Sequence, residues 1–152
     1  MAIVAECFLP EVNGVTNSVL RVVEQLERLG HPTLVIAPGL GPDRYSETPV
    51  ERVPAVHPPF YRSLAVGVPT GRVRAILRQF RPDVVHLAAP VILGAGGAAA
   101  ARSLGIPRVA VYQTDLAGFA GRYRAGPAAE LVWRWLRRVH LRADLTLAPS
   151  TM

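Results

Sequence analysis

The sequence predicts an α/β fold, a Rossmann-like parallel sheet with helices on both faces. Three observations lead there. Residues 33–37, 84–87 and 108–112 are largely apolar runs without polar alternation, as strands covered on both sides are. The stretches between them carry apolar residues at helical spacing, with charged residues on the opposite face. The two kinds of segment alternate along the chain, the pattern of strand–helix–strand units joined by right-handed crossovers. At 152 residues the chain is read as one domain, long enough to bury roughly 70% of its unfolded surface.

The first unit is the clearest. A short apolar strand at 2–6 precedes a helix over 15–29 with Val15, Val19, Val22, Val23, Leu26 and Leu29 on one face. Arg21, Glu24, Gln25, Glu27 and Arg28 take the other face, with Glu24 and Arg28 ordered as an i,i+4 pair. Gly30 and Pro32 end the helix. The strand at 33–37 follows, then a polar loop over 38–49 and a short strand candidate at 50–53. Residues 55–69 are proline-rich and read as an irregular loop, of a length often kept for function.

A helix is expected over 70–80, with Val73, Ile76, Leu77 and Phe80 inward and Arg72, Arg74, Arg78 and Arg81 outward. Pro82 stops it. The strand at 84–87 leads to a small-residue helix over 91–104, closed by Gly105 and Pro107. After the strand at 108–112 comes a glycine-broken stretch over 116–126. Residues 127–141 then form a helix with Leu131, Val132, Trp135, Leu136 and Val139 inward and Arg134, Arg137 and Arg138 outward. A last strand is expected at 145–148.

Two other readings of 84–101 fail. The segment is uncharged and close to membrane-spanning length, but His86, Pro90 and three glycines interrupt it, and alanine contributes little to insertion. The cluster Gly94, Gly96 and Gly97 lacks the spacing of a dinucleotide loop and lies inside the helix, so close helix–sheet packing explains it better.

Half of the residues are hydrophobic, which excludes a disordered chain. The single cysteine, Cys7, excludes an internal disulfide and fits a reducing compartment. Glu6 inside the first apolar run argues against a signal peptide, so a cytoplasmic protein is expected. All seventeen basic residues are arginine against eleven acids, and the net charge of +6 favours anionic partners. Nucleic acid is not expected among them. The arginines of 70–80 and 127–141, with Trp133 beside the latter, suggest peripheral contact with an anionic membrane at the inner face of the plasma membrane. Two ordinary solvated helix faces are the plainer reading. No zinc spacing, nucleophile elbow or Walker loop is present.

In an open parallel sheet, ligands bind at the carboxyl ends of the strands. Asn13-Gly14 sits where the first strand turns into its helix, so the helix's unpaired N–H groups open toward that edge as a candidate phosphate site. A simple turn is the alternative. Gln113-Thr114-Asp115 follows a later strand on the same edge. These three side chains either hold sugar hydroxyls, or Asp115 caps the next turn.

Taken together, Glu6-x-Phe8-Leu9-Pro10-x-x-Asn13-Gly14-Val15, Val56-x-x-Pro59, Arg81-Pro82-Asp83-Val84-Val85-His86-Leu87, Val111-Tyr112-Gln113-Thr114-Asp115 and Ala143-Asp144-Leu145-Thr146-Leu147-Ala148-Pro149-Ser150 resemble the N-terminal half of family 4 glycosyltransferases. In particular they resemble the GDP-mannose-dependent α-mannosyltransferases that act on glycolipid acceptors in actinobacteria. The resemblance implies one half of a GT-B fold and a retaining, metal-independent sugar transfer without a cofactor beyond the sugar nucleotide. It implies that Asn13, Gly14 and Val15 approach the donor's phosphate and sugar. Gln113 and Asp115 face the reaction centre. Tyr112, Thr114, Tyr61 and Arg62 fall to the acceptor, a glycolipid or other glycoside.

Many family members have histidine where Gln113 stands. Glutamine is neither acid nor base, so the expected role is hydrogen bonding, with the leaving phosphate as proton acceptor. The family's second, donor-binding domain and its paired-glutamate motif do not occur in these 152 residues. Sugar transfer by the chain alone is therefore not expected. Two rivals are a nucleotide-binding oxidoreductase domain, disfavoured by the missing G-x-G-x-x-G, and a basic binding module without catalysis.

Overall fold

A computed structural model describes residues 1–57, 65–113 and 126–148, the side chains of 126–129 excepted. The strands are β1 (Ala2–Ala5), β2 (Leu34–Pro38), β3 (Arg44–Tyr45), β4 (Thr48–Val53), β5 (Ala55–Val56), β6 (Val66–Gly67), β7 (Val85–Ala88), β8 (Arg108–Val111) and β9 (Leu145–Leu147). The helices are α1 (Gly14–Arg28), α2 (Gly71–Phe80), α3 (Leu93–Ser103) and α4 (Gly126–His140). The seven-stranded sheet runs β3-β4-β2-β1-β7-β8-β9. Every pairing is parallel except β3–β4.

The strands in the middle of the sheet are buried on both faces, as their unbroken apolar runs require. Ala2 and Val4 of β1, Leu34 and Ile36 of β2, and Val85 and Leu87 of β7 pack with Val73, Ile76 and Leu77 of α2 and with Leu93, Ala98 and Ala101 of α3. The alternate residues Ile3, Ala5, Val35, Ala37 and Ala88 pack with Val19 and Val23 of α1. Successive residues of a strand point to opposite faces, so helices on both faces follow from that division. Among the described residues no helix is long and apolar enough to cross a membrane, and 84–101 is a strand followed by a buried helix.

The glycine cluster has the packing role its position suggests. A Cβ on Gly97 would meet both γ-methyls of Val4 at 3.1 Å, and one on Gly96 would collide with Pro69. These glycines let α3 lie against β1 and against the segment leading into α2.

Several sequence expectations change in detail. Glu24 does not pair with Arg28 in the described structure; its carboxylate accepts from the Tyr45 hydroxyl at 2.7 Å, while Glu27 accepts from Thr48 at 2.6 Å. The loop at 38–49 thereby becomes an ordered β3–β4 hairpin held against α1. Leu29 is exposed, because the helix closes there and Gly30 turns away at φ +70°. Residues 55–69 begin and end in a small β5–β6 antiparallel ribbon.

The larger correction concerns α4. Leu136 and Val139 are buried, but Leu131 is 64% and Trp135 41% exposed, contrary to the inward placement expected. Beyond α4 lies the edge strand β9, whose three residues are all exposed. A helix beside the end of a sheet has less sheet on which to bury its apolar stripe. Asp144 pins β9 to β8: its carboxylate accepts from the Arg108 backbone at 2.7 Å and from the guanidinium at 2.7 and 2.9 Å. Arg108 thereby holds the Asp144 carboxyl below the usual carboxylate range.

Candidate functional site

The carboxyl edge of the sheet is built first by the loop between β1 and α1. Asn13 has extended backbone geometry and caps α1, its Oδ1 accepting from Thr16 N at 2.9 Å. Its Nδ2 donates to Glu11 Oε1 at 3.3 Å and lies 3.1 Å from Cys7 Sγ. The buried Thr16 hydroxyl donates to Glu11 O at 3.0 Å. Burial raises the Cys7 thiol pKa, and Asn13 and Thr16 partly oppose that rise. The Asn13 and Thr16 side chains are engaged within the turn itself, and Asn13 is a cap.

Gly14 has no such structural demand. Its φ is not positive, and a Cβ built there meets nothing within 4 Å. The cap serves the N–H of Thr16, and Asn13 O accepts from Asn17 N. The N–H groups of Gly14 and Val15 have no partner among the described residues. Val15 itself is half-buried and packs with the α1 core.

A second arm comes from the end of β8. Gln113 Nε2 donates to Ser18 Oγ of α1 at 3.1 Å, which joins this strand end to the first helix across β7. Its Oε1 is buried and has no partner among the described residues. Tyr112 is half-buried, with its ring edge against His140 at 5.7 Å, and His140 Nδ1 lies 3.3 Å from Thr146 Oγ1. Burial lowers the His140 pKa. Gln113, Tyr112, His140, Leu136 and Pro90 enclose a space of about 10 Å³, at the lower limit for a single water. The structure thus brings Gln113 to α1, one turn from Gly14. Thr114, Asp115, Tyr61 and Arg62 lie outside the described residues. So do Pro59, Pro149 and Ser150 among the motif residues.

The residue that sequence reasoning passed over is Glu6. From the end of β1 its carboxylate reaches the start of α3, Oε1 accepting from Val91, Ile92 and Gly94 N at 2.6, 2.8 and 2.8 Å and Oε2 from Leu93 N at 3.1 Å. The N-cap of α3, Ile92, offers no side-chain hydrogen bond. The orphan donors of α3 are therefore satisfied by a residue more than eighty positions away. A signal was available: Pro90-Val91-Ile92 supplies no Ser, Thr, Asp or Asn where a helix starts, and one acid follows the first apolar strand. The consequence is chemical. At this edge the start of α3 already holds a carboxylate, and the start of α1 is left open.

His86 of β7 lies between Ile3 and Val109 in the sheet, and its Nε2 has no partner among the described residues. Burial pushes its pKa down and keeps the ring neutral. Among the described residues, no group of three or more His, Cys, Asp or Glu side chains is placed to hold a metal ion.

Comparison with known proteins adds four findings. Residues 12–152 match the family model of Glycosyltransferase Family 4. The chain is 57% identical over 157 residues to the GDP-mannose-dependent alpha-mannosyltransferase of Mycolicibacterium smegmatis, covering 99% of this chain and 42% of that protein. It is 32% identical over 118 residues to the alpha-monoglucosyldiacylglycerol synthase of Acholeplasma laidlawii, covering 76% of this chain and 30% of that one. Among solved structures, MurG of Acinetobacter baumannii superposes with a TM-score of 0.63 at 21% identity, over 99% of this chain and 42% of MurG. That likeness is one of fold, half of a GT-B architecture. The chain spans about two fifths of the length of the mannosyltransferase it matches.

Proposed function

Because the chain belongs to glycosyltransferase family 4, we propose that it forms the acceptor-side half of a retaining transferase that moves mannose from GDP-mannose to a glycolipid acceptor. The observation that carries the reading is Gly14. Its missing Cβ relieves no strain and no crowding within the described residues, while its N–H and that of Val15 open at the positive end of α1. A glycine without a folding reason beside two free donors suits close approach by a diphosphate. Asn13 acts as the cap that aims those donors, and Val15 contributes its backbone. Gln113, already anchored to Ser18, takes a hydrogen-bonding role at the reaction centre with Asp115, and Thr114, Tyr112, Tyr61 and Arg62 complete the acceptor side. The reaction uses no cofactor beyond the sugar nucleotide, whose leaving phosphate takes the acceptor proton. The glycolipid class is supported by the name of the Acholeplasma relative.

The test joins this chain to the part of the Mycolicibacterium smegmatis relative that it does not cover. The hybrid is expected to transfer mannose, the chain alone is not, and Gly14→Val is expected to lower transfer at least about 100-fold, the scale of losing oriented donors to developing charge. The fold should be unchanged by circular dichroism. A folded Gly14→Val hybrid with full activity would remove Gly14 from the donor site.

We also propose peripheral contact with anionic lipid at the inner face of the plasma membrane, through α4. Leu131 (64% exposed), Trp133 (47%) and Leu141 (74%) surround the exposed Arg137 and Arg138, and Arg134 pairs with its helix neighbour Glu130. On α2, by contrast, no large apolar side chain is exposed beside the arginines. Each free cation adds at best about 1 kcal/mol at such a surface. Co-sedimentation with phosphatidylglycerol vesicles is expected, with none on phosphatidylcholine, and replacing Arg134, Arg137 and Arg138 by glutamine should release the protein. Equal binding to both vesicles would exclude this contact.

A further inference from the structure

We propose that the open cavity of about 350 Å³ beside the ends of β2 and β4 is an anion subsite, in which Arg52 and Arg72 receive a carboxylate or phosphate carried by the acceptor. The inference rests on the reading that this half of the enzyme handles the acceptor, and it concerns a place distinct from the Gly14 turn. Gly39, Leu40, Ala55 and His57 complete the walls.

Arg52 is the reason. Its guanidinium is fixed by neutral carbonyls alone: Nη2 donates to Leu9 O at 2.7 Å and Pro42 O at 2.9 Å, Nε to Pro42 O at 3.1 Å, and Nη1 to Pro38 O at 3.3 Å. It also lies 5.8 Å from the centre of the Phe8 ring. Among the described residues no carboxylate pairs with it. A half-buried cation bonded only to dipoles keeps its full charge unneutralised, and Arg remains ionised in such a setting. Three carbonyls, through four hydrogen bonds, hold that charge in one place, at the wall of a cavity, where it is preorganised for an anion. Burial lowers the Arg52 pKa, as expected for a cation with no counter-charge.

Arg72 supplies the second charge from a position that costs α2 stability. It stands in the first turn of the helix, just after the cap Thr70, where acids are favoured and cations opposed by the helix dipole; that turn has no acid. Its contact with Glu51 is 3.4 Å long and both side chains are about half exposed, so it is weak and displaceable. Leu40, 95% exposed, and Val56, 57% exposed, lie next to the cavity residues in sequence or on its wall. An acceptor with an anionic head and an apolar body would satisfy both features.

The experiment titrates the folded chain with a hexose phosphate, a hexuronate and the neutral hexose, followed by amide and arginine side-chain NMR shifts. Saturable shifts at residues 39–40, 52, 55–57 and 72 are expected with one or both anions and not with the neutral sugar. The preferred anion identifies the source as phosphate or carboxylate. Arg72→Gln should weaken binding at least tenfold while the backbone spectrum stays folded; Arg52→Gln, which also removes a structural tie, is the secondary variant. Equal shifts with the neutral sugar, or unchanged affinity in Arg72→Gln, overturn the subsite. Gly14→Val should leave this binding intact, so a failed transfer assay with normal anion binding counts against the proposed reaction and not against the subsite.

Discussion

Replacing Glu6 by alanine is expected to lower the stability of the chain by about 3 kcal/mol, the scale set by losing charge-assisted hydrogen bonds and leaving partly buried donors unmet. The four N–H groups from Val91 to Gly94 converge on this one carboxylate, and the segment offers no cap of its own. For a domain of this size the loss corresponds to a melting temperature lower by about 10 °C. Glu6→Gln keeps one acceptor oxygen and removes the negative charge at the helix's positive end, so about half of the effect should remain. Urea unfolding of the two variants measures both. The alanine variant should also regain stability in sulfate beyond the gain of the wild type, because the vacated helix start accepts an anion. A loss below about 0.5 kcal/mol in Glu6→Ala, within the range of neutral surface changes, would mean that the carboxylate is replaceable by water.

The second large effect is expected from Gly97→Val. An added Cβ already lies 3.1 Å from both methyls of Val4, which is fully buried in the central strand. Two further methyl groups have no room unless α3 moves away from β1, and such overpacking costs about 1–3 kcal/mol. Valine recovers little in helix propensity, so the steric term wins. Gly97→Ala is the informative contrast: its gain of up to about 1 kcal/mol in propensity opposes a smaller clash. Its net change should be small. If both variants unfold at the wild-type denaturant midpoint, α3 and β1 are not in close register. That result would reopen the question of why this helix carries three glycines.

Those glycines show how far the sequence could be read. Their spacing was wrong for a nucleotide loop and their place inside a helix pointed to packing, and Val4 and Pro69 are the partners. The strand runs were legible because a residue buried on both sides of a sheet must be apolar whichever face it takes. The helix α1 was legible because its stripe repeats over four turns. The juxtaposition of the Gly14 turn with Gln113 was legible in outline, since both follow parallel strands and such strands share one carboxyl edge. The specific link, Gln113 to Ser18, was not, because no rule of spacing connects positions 95 residues apart.

Where the reading fell short, the cause is the same in each case. Leu131 and Trp135 fit the apolar stripe of α4, yet the stripe is wider than the sheet beside it, and only the arrangement of β8 and β9 decides how much is covered. The i,i+4 spacing matches Glu24 to Arg28 on its own helix, while Tyr45 reaches it from the β3–β4 hairpin. Nothing in the sequence around Glu6 or Arg52 names their partners. In the fold one is the cap of a distant helix and the other a cation held by four bonds to the backbone of Leu9, Pro38 and Pro42. The sequence by itself determined what depends on period and on local backbone chemistry: the alternating elements, their buried faces, the Asn13 cap and the Gly30 stop. The tertiary structure alone decided the partners of the charged and polar groups, because a hydrogen bond or an uncompensated charge is set by distances in space, and residues far apart in the chain supply them.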